Sequence, residues 1–260
     1  MQTHPKIEAA AGARPAGIVD PHAAATSIRQ MFDTIAPTYD RANHLLSFGI
    51  DRYWWARAAW TLRAVLRRPD AVVLDLCCGT GDMTLALDRY RPRRAQGSGA
   101  SPAPILAADF SHCMLALGAR KFAGRRIVPV EADGLHLPLA DSSVDLVTAA
   151  FGFRNLADYA AGLRELHRVL RPGGQLGILE CNQPEGAIGA LYSLYFQRVL
   201  PVLGGLVSRE PRAYAYLPDS VVRFPRPPRM KQLLAEAGFA HARWSSYTFG
   251  TAGLYRATRL

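Results

Sequence analysis

The run Ala71-Val-Val-Leu-Asp-Leu-Cys-Cys-Gly-Thr-Gly-Asp82 begins with six residues that are apolar but for one aspartate and closes on two glycines separated by a threonine. A stretch apolar enough to be buried on both faces reads as a strand inside a parallel sheet. The glycines after it let the backbone bend tightly and come close to a ligand with no Cβ in the way. The same texture repeats downstream, with strands expected at Ile105–Phe110, Ile127–Ala132, Val144–Ala150 and Gln175–Cys181. Helical stretches fall between them. The clearest is Tyr159–Leu170, where Leu163, Leu166, Val169 and Leu170 form one apolar stripe and Arg171-Pro-Gly-Gly174 is expected to stop the helix. Repeated βαβ units imply an α/β fold with a doubly wound, mostly parallel sheet.

On either side of this core the pattern changes. Residues 1–27 lack periodicity and read as a disordered tail, dispensable for folding. The rest, 28–260, is expected to form a single domain: a helical cap over 28–66, the core over 71–181, an aromatic-rich helical insertion over 187–225 after the fifth strand, and a C-terminal helix and strands over 228–260. Residues 91–104 form a low-complexity insertion. A chain of 260 residues that is 49% hydrophobic and 20% charged is enough for one compact domain. The longest apolar candidate, Val199 to Val207, is broken by Pro201, Gly204 and Gly205, too soon to span a bilayer. Lys6, Glu8, Arg14 and Asp20 interrupt any apolar leader, so a cytoplasmic address is expected. Four cysteines, two of them adjacent at Cys77 and Cys78, give neither a disulfide framework nor a zinc-ligand spacing, and no metal is expected. The formal charge of +10 raises a polyanionic partner. The arginines, however, cluster at 91–94, 125–126 and 223–229 without interleaved aromatics, so solvated loops are expected and nucleic acid is not.

In an open α/β sheet the ligand sits beyond the carboxyl ends of the strands. A dinucleotide fingerprint would need a small residue three after Gly81, and Thr84 stands there instead. Asp75 within the strand, followed by Gly79-Thr80-Gly81, resembles the signature of class I S-adenosylmethionine-dependent methyltransferases, whose fold is Rossmann-like. The second strand ends at Asp109, 28 positions beyond Gly81, where a carboxylate can accept both ribose hydroxyls. The third ends in Ala132-Asp133-Gly134, where an acid can accept from an adenine amino group. Each acid alone is more often a helix cap or a solvated turn residue. Three successive strand ends with suitable groups point together to that cofactor, bound by Asp75, Gly79, Thr80, Gly81, Asp109, Asp133 and Gly134.

Four segments narrow the resemblance: Met31-Phe-Asp-Thr-Ile-Ala-Pro-Thr-Tyr-Asp40 with Asn43 and Leu45-Leu-Ser-Phe-Gly-Ile-Asp-Arg-Tyr-Trp54; Leu74 to Asp82; Phe151-Gly-Phe-Arg-Asn-Leu156; and Tyr214-Ala-Tyr-Leu-Pro-Asp-Ser220 with Phe224-Pro225. Together they resemble the ubiquinone/menaquinone biosynthesis C-methyltransferase family from about Ile28 to the C-terminus, and the Cys-Cys-Gly-Thr-Gly-Asp form is most like its demethylmenaquinone methyltransferases. The resemblance implies methyl transfer from S-adenosylmethionine to a ring carbon of an isoprenoid naphthoquinol. It also implies that Arg154 and Asn155 stabilise the phenolate and hold a water, with Tyr39 and Asp40 contributing from the cap. Many members carry serine just before the Phe-Gly-x-Arg-Asn segment; here Ala150 stands there, so a hydroxyl contact is missing or is replaced by backbone. The stripe Leu191, Tyr192, Leu194, Tyr195, Phe196, Val199 and Leu200 is expected to cover the tail at the inner face of the membrane, or else to form a core or homodimer face. Two alternatives stay open: an enzyme that also methylates ubiquinone precursors, and an RNA-binding or RNA-modifying protein on the same sheet.

Overall fold

Strand β1 (Val73–Leu76) is buried at every position and lies between β2 (Ile105–Asp109) and β4 (Val144–Ala150) in the computed structural model, which describes residues 12–93, 102–195, 198 and 211–260. With β3 (Ile127–Glu131), β5 (Leu170–Cys181), β6 (Phe239–Tyr247) and β7 (Ala252–Arg259) the sheet runs β3-β2-β1-β4-β5-β7-β6. The first five strands are parallel, and β7 runs antiparallel to both β5 and β6. Chain order reverses between β1 and β4, which opens a crevice at their carboxyl ends.

Each face of the sheet is covered. On one side Leu74, Leu76 and Ile178 pack with α7 (Tyr159–Val169) and α10 (Pro227–Glu236). The expected stripe Leu163, Leu166 and Val169 is fully buried there, a gain of about 1.5–3 kcal/mol for each such side chain. Asp158 starts α7 by accepting from the Ala161 N–H at 2.9 Å. On the other side Val73 and Leu146 pack with α3 (Ile50–Thr61), α4 (Arg63–Leu66) and α5 (Asp82–Asp88). A third cluster joins Ile35, Ala36, Ala42 and Leu46 to Met114 of α6 (His112–Lys121), seating α1 (Pro21–Ile35) and α2 (Tyr39–Leu46) on the core. After β5 come α8 (Gly186–Leu194) and α9 (Pro211–Arg223). Among the described residues, no helix is long and apolar enough to cross a membrane.

Three expectations are corrected. The first is the tail: α1 begins at Pro21, capped by Asp20, and its Ala24 is as buried as Ile28, because one turn of helix before residue 28 shares the same inward face. Upstream, the Ala13 N–H donates to the Leu156 carbonyl at 2.8 Å and Arg14 donates to that of Ala157 at 3.1 Å, so residues 12–27 belong to the fold; residues 1–11 lie outside the described ones. The second is the end of α7: β5 starts at Leu170, and the Arg-Pro-Gly-Gly run forms an irregularity within it, with Leu170 opposite Val144 and Gln175 opposite Leu146. The third is Arg91, expected on a solvated loop. It is buried and donates to the carbonyls of Leu66, Arg68, Ala71 and Ala103 at 2.8–3.1 Å, satisfying backbone acceptors ahead of β1 and β2. Residues 94–101 of that insertion lie outside the described ones.

Candidate active site

The loops at the carboxyl ends of β1 to β4 enclose a cleft of about 690 Å³, its open mouth included. Cys77 and Gly79 line it after β1, Asp109 and Phe110 at the end of β2, Asp133 and Gly134 after β3, and Ala150 to Gly152 at the end of β4, while Phe32 of α1 and Tyr39 of α2 roof it. A Cβ on Gly152 would lie 2.2 Å from the Cys77 Cβ, so the turns after β1 and β4 touch here because residue 152 has no side chain.

Asp109 is the buried carboxylate of this cleft. It accepts from the N–H of Gly79 at 2.8 Å and of Ser111 at 2.9 Å. Burial pushes its carboxyl up to about 6, against the pull of those donors. When ionised, its oxygens accept and do not donate, a match for a vicinal diol. Asp133 is exposed at the rim, where it accepts from the Leu135 N–H at 2.9 Å.

Three residues expected beside the cofactor do not line this cleft. Asp75 points into the sheet, where it accepts from Thr84 at 2.5 Å and Thr148 at 2.6 Å; burial raises its carboxyl to about 6. It ties β1 to α5 and β4, because a residue one position short of the strand end faces the layer packed on the sheet. Gly81 has φ +91°, and a Cβ there would lie 2.3 Å from the Phe122 ring, so that glycine serves the packing of α5. Thr80 lines a second cavity; its hydroxyl donates to Asp40 and accepts from Lys121 at 3.2 Å. Asp40 lies outside both cavities, in a cluster where Lys121 also donates to Asp40 at 2.7 Å and to Asp82 at 3.0 Å, binding the cap to the β1 turn.

The second cavity, about 1290 Å³ with its open mouth, adjoins the first. Tyr39, Cys77, Gly79, Ala150 and Phe151 line both, so these residues form the passage between them. Its walls include the aromatic side chains Trp54, Trp55, Tyr192 and Tyr195, and Trp54 is held in place by donating to Thr248 at 2.7 Å. Of the expected tail-covering stripe, Tyr192 and Tyr195 stand in this wall and Leu194 is exposed, whereas Phe196, Val199 and Leu200 lie outside the described residues.

Arg154 also lines this cavity, from a buried position after β4. Its guanidinium donates to Glu180 at 2.8 Å, to Ser220 at 3.2 Å and to the Phe151 carbonyl, and its backbone N–H donates to the other Glu180 oxygen at 3.0 Å. Burial opposes its charge, but the Glu180 carboxylate outweighs that and holds it firmly protonated. Asn155 faces the first cleft, and its amide oxygen accepts from Tyr216 of α9 at 3.0 Å. Tyr39, in the passage, has its phenol pushed up to about 12 by burial, against the opposing influence of Arg154 and Asn43. Sequence reasoning missed Glu180, and Ser220 stood in the Tyr214-to-Ser220 segment with no sign that it would meet Arg154; these two partners, which fix that arginine, lie 26 and 66 residues away. It also missed Phe110 and Phe151 as lining residues, although each follows directly on a strand end.

The arrangement joins a cleft with an acceptor for a sugar diol to an aromatic cavity of ring-system size, with a fixed cation beside the latter. A sequence model described as the ubiE/COQ5 methyltransferase family matches residues 21–259. A protein of Thermus thermophilus named demethylmenaquinone methyltransferase is 47% identical over 86% of this chain and 98% of its own length. One of the same name from Deinococcus radiodurans is 44% identical over 88% of this chain and 91% of its own. Among solved structures, an S-adenosylmethionine-dependent methyltransferase from Aquifex aeolicus superposes with a TM-score of 0.55 at 19% identity, over 78% of this chain and 89% of that one, a likeness of fold. The RNA-directed alternative gains no support from these relatives.

Proposed function

The chain belongs to the ubiE/COQ5 methyltransferase family, and we propose that it transfers a methyl group from S-adenosylmethionine to a ring carbon of a demethylmenaquinol, giving menaquinol. The carrying observation is the passage at Tyr39, Gly79 and Ala150, through which the diol-binding cleft opens into an aromatic cavity bearing Arg154. Asp109 would hold the ribose hydroxyls, with Phe110, Asp133 and Gly134 around the adenine end and Gly79 beneath. When bound, S-adenosylmethionine supplies an electrophilic methyl on a sulfonium.

The chain's own task is to make a quinol carbon nucleophilic and to aim it. Loss of the proton from a ring hydroxyl to water pushes charge onto the neighbouring carbon; that carbon takes the methyl as the methyl–sulfur bond breaks, and its own hydrogen then leaves as a proton to water, restoring the aromatic ring. Arg154, kept cationic by Glu180, offers a preorganised positive charge to the ring oxygen in a cavity whose wall includes Trp54, Trp55 and Tyr192. Asn155, steadied by Tyr216, stands where it can hold a water or a polar edge of the ligand. Tyr39 stays protonated up to about pH 12 and so acts as a hydrogen-bond donor in the passage. Asp40 acts at one remove, by fastening the cap to Thr80 and Lys121.

Labelled methyl transfer from S-adenosylmethionine to reduced demethylmenaquinone, to a demethylated ubiquinone precursor and to bulk tRNA, run in parallel, tests this reading. Incorporation into the naphthoquinol is expected. Equal incorporation into the ubiquinone precursor would make the enzyme bifunctional, and incorporation into tRNA alone would overturn the assignment.

A further inference from the structure

The methyl-transfer chemistry above leaves one buried carboxylate of the aromatic cavity unused. Asp51, in the first turn of α3, lines that cavity and is only 4% exposed. A carboxylate so buried needs partners to keep its charge. Its Oδ2 meets Nδ1 of His44 on α2 at 2.7 Å, and its Oδ1 accepts from the Arg52 N–H at 2.8 Å. The start of α3 adds the positive end of a helix dipole. His44 is placed in turn by Trp55, edge to face at 5.9 Å between ring centres, and Trp55 lines the same cavity. Each oxygen of an ionised carboxylate offers about two lone pairs, so both oxygens of Asp51 keep room for a further donor.

A quinol and its quinone have almost the same size and differ at the two ring oxygens: those of the quinol can donate, and those of the quinone only accept. Amide and hydroxyl groups in the wall, such as Asn43, Ser47 and Thr251, donate as well as accept and so suit either state. Arg154 only donates, and a quinone carbonyl would satisfy it as a phenolate does. An ionised carboxylate accepts and does not donate, so it attracts a hydroxyl and repels a carbonyl oxygen. Among the described lining residues the carboxylates are Asp51 and Asp82. Asp82 is partly exposed and is met by the Lys121 ammonium at 3.0 Å, which offsets its charge. Asp51, buried beside an imidazole, is the group of this wall able to tell one redox state from the other.

We propose that Asp51, aimed by His44, accepts the hydrogen of the quinol hydroxyl that Arg154 does not take, so that the cavity holds the reduced ring and turns the quinone away. Asp51 is then a specificity-determining residue and His44 a positioning one. This rests on the quinol reading above and deepens it. A quinone in the same place would leave Asp51 facing a carbonyl oxygen with no hydrogen between them, and a site built to bond a hydroxyl discriminates strongly against a ligand that lacks it.

Anaerobic equilibrium dialysis of the full chain against menaquinol and menaquinone carrying a single isoprene unit tests it. The two probes match in size, and neither has an open ring carbon to be methylated or to react with a thiol. The parent should bind the quinol at least about tenfold more tightly than the quinone, the fold-change of one hydrogen bond to a charged group. Asp51→Asn, which keeps the shape but adds a donor, should bring the two affinities to within about twofold. His44→Ala should lose part of the preference, and His44→Asn, which keeps a donor near the position of Nδ1, should restore it. The preference is a ratio read on one sample, so partial unfolding of a variant leaves it unchanged. Equal affinities in the parent overturn the proposal, as does a full preference retained by Asp51→Asn. A parent that binds neither probe and methylates no naphthoquinol sinks the quinol reading itself, whereas one that methylates the quinol yet binds both probes alike sinks only the role of Asp51.

Discussion

Replacing Arg154 by alanine perturbs two things that the structure couples. Glu180 is fully buried, and the guanidinium at 2.8 Å is its charged partner; without it the carboxylate still accepts from the backbone, the Arg154 N–H at 3.0 Å and the Cys181 N–H at 3.2 Å. Breaking a buried pair on one side costs about 3–5 kcal/mol. At roughly 2–4 °C per kcal/mol for a chain of this size, the melting temperature should fall by about 6–20 °C. Separately, losing a preorganised donor to a developing phenolate should lower turnover by about 10²–10³. The double variant Arg154→Met/Glu180→Gln separates the two, because neutralising both sides removes the stranded charge while keeping similar volume. It should regain most of the melting temperature yet stay at least about 10² below the parent in labelled methyl transfer at saturating donor and quinol. Arg154→Lys should lie between, keeping a charge for Glu180 but not the planar fork that also reaches Ser220 and the Phe151 carbonyl. Recovery of turnover in step with the melting temperature in the double variant would refute a catalytic role and leave Arg154 as a structural strut.

Asp109→Asn should weaken S-adenosylmethionine binding by about 1.5–3 kcal/mol in calorimetry, and unchanged affinity would remove that carboxylate from the site. Because burial holds Asp109 at about 6, above the ordinary carboxylate value of about 4, its ionised form is what the ligand must find; parent affinity should therefore rise as pH climbs from 5 to 7 and flatten above, while the asparagine variant stays level. The same raised values at Asp109 and Asp75 mean that the folded state holds more protons than the unfolded one between about pH 4 and 6, so their contribution to stability should decline as pH rises through that window, as thermal melts across it would reveal. Asp75→Ala should lower the melting temperature by stranding the Thr84 and Thr148 hydroxyls, at about 1–3 kcal/mol each, while leaving donor affinity of the folded protein near the parent; a selective loss of affinity would return Asp75 to the cofactor site. Deleting residues 1–27 removes the Asp20 cap and the buried first turns of α1, and should cost at least about 2 kcal/mol by denaturant titration; a midpoint matching the parent would show that the tail is not part of the fold.

Strands β1 to β4, helix α7 and the acids at the strand ends were legible in the residues themselves, because a strand buried on both faces and an amphipathic helix each leave a local period that needs no partner to be read. The quinone-family segments were legible for the same reason, being contiguous. Which acid faces the cleft was not. Asp75 and Asp109 look alike along the chain, but one sits a residue short of its strand's end and faces the packed layer, while the other ends its strand and faces the crevice. The start of α1 was hidden because Ala24 reads as neutral until Ile28 and the core define an inside. Arg91 looked like a solvated loop residue until backbone carbonyls closed around it, and the partners of Arg154 could not be named until Glu180 and Ser220 came to it from β5 and α9. Period and motif are properties of neighbours in sequence. The facing of a side chain, the pairing of a buried charge and the joining of two cavities depend on groups that meet only after the sheet has closed, and these the tertiary structure alone decided.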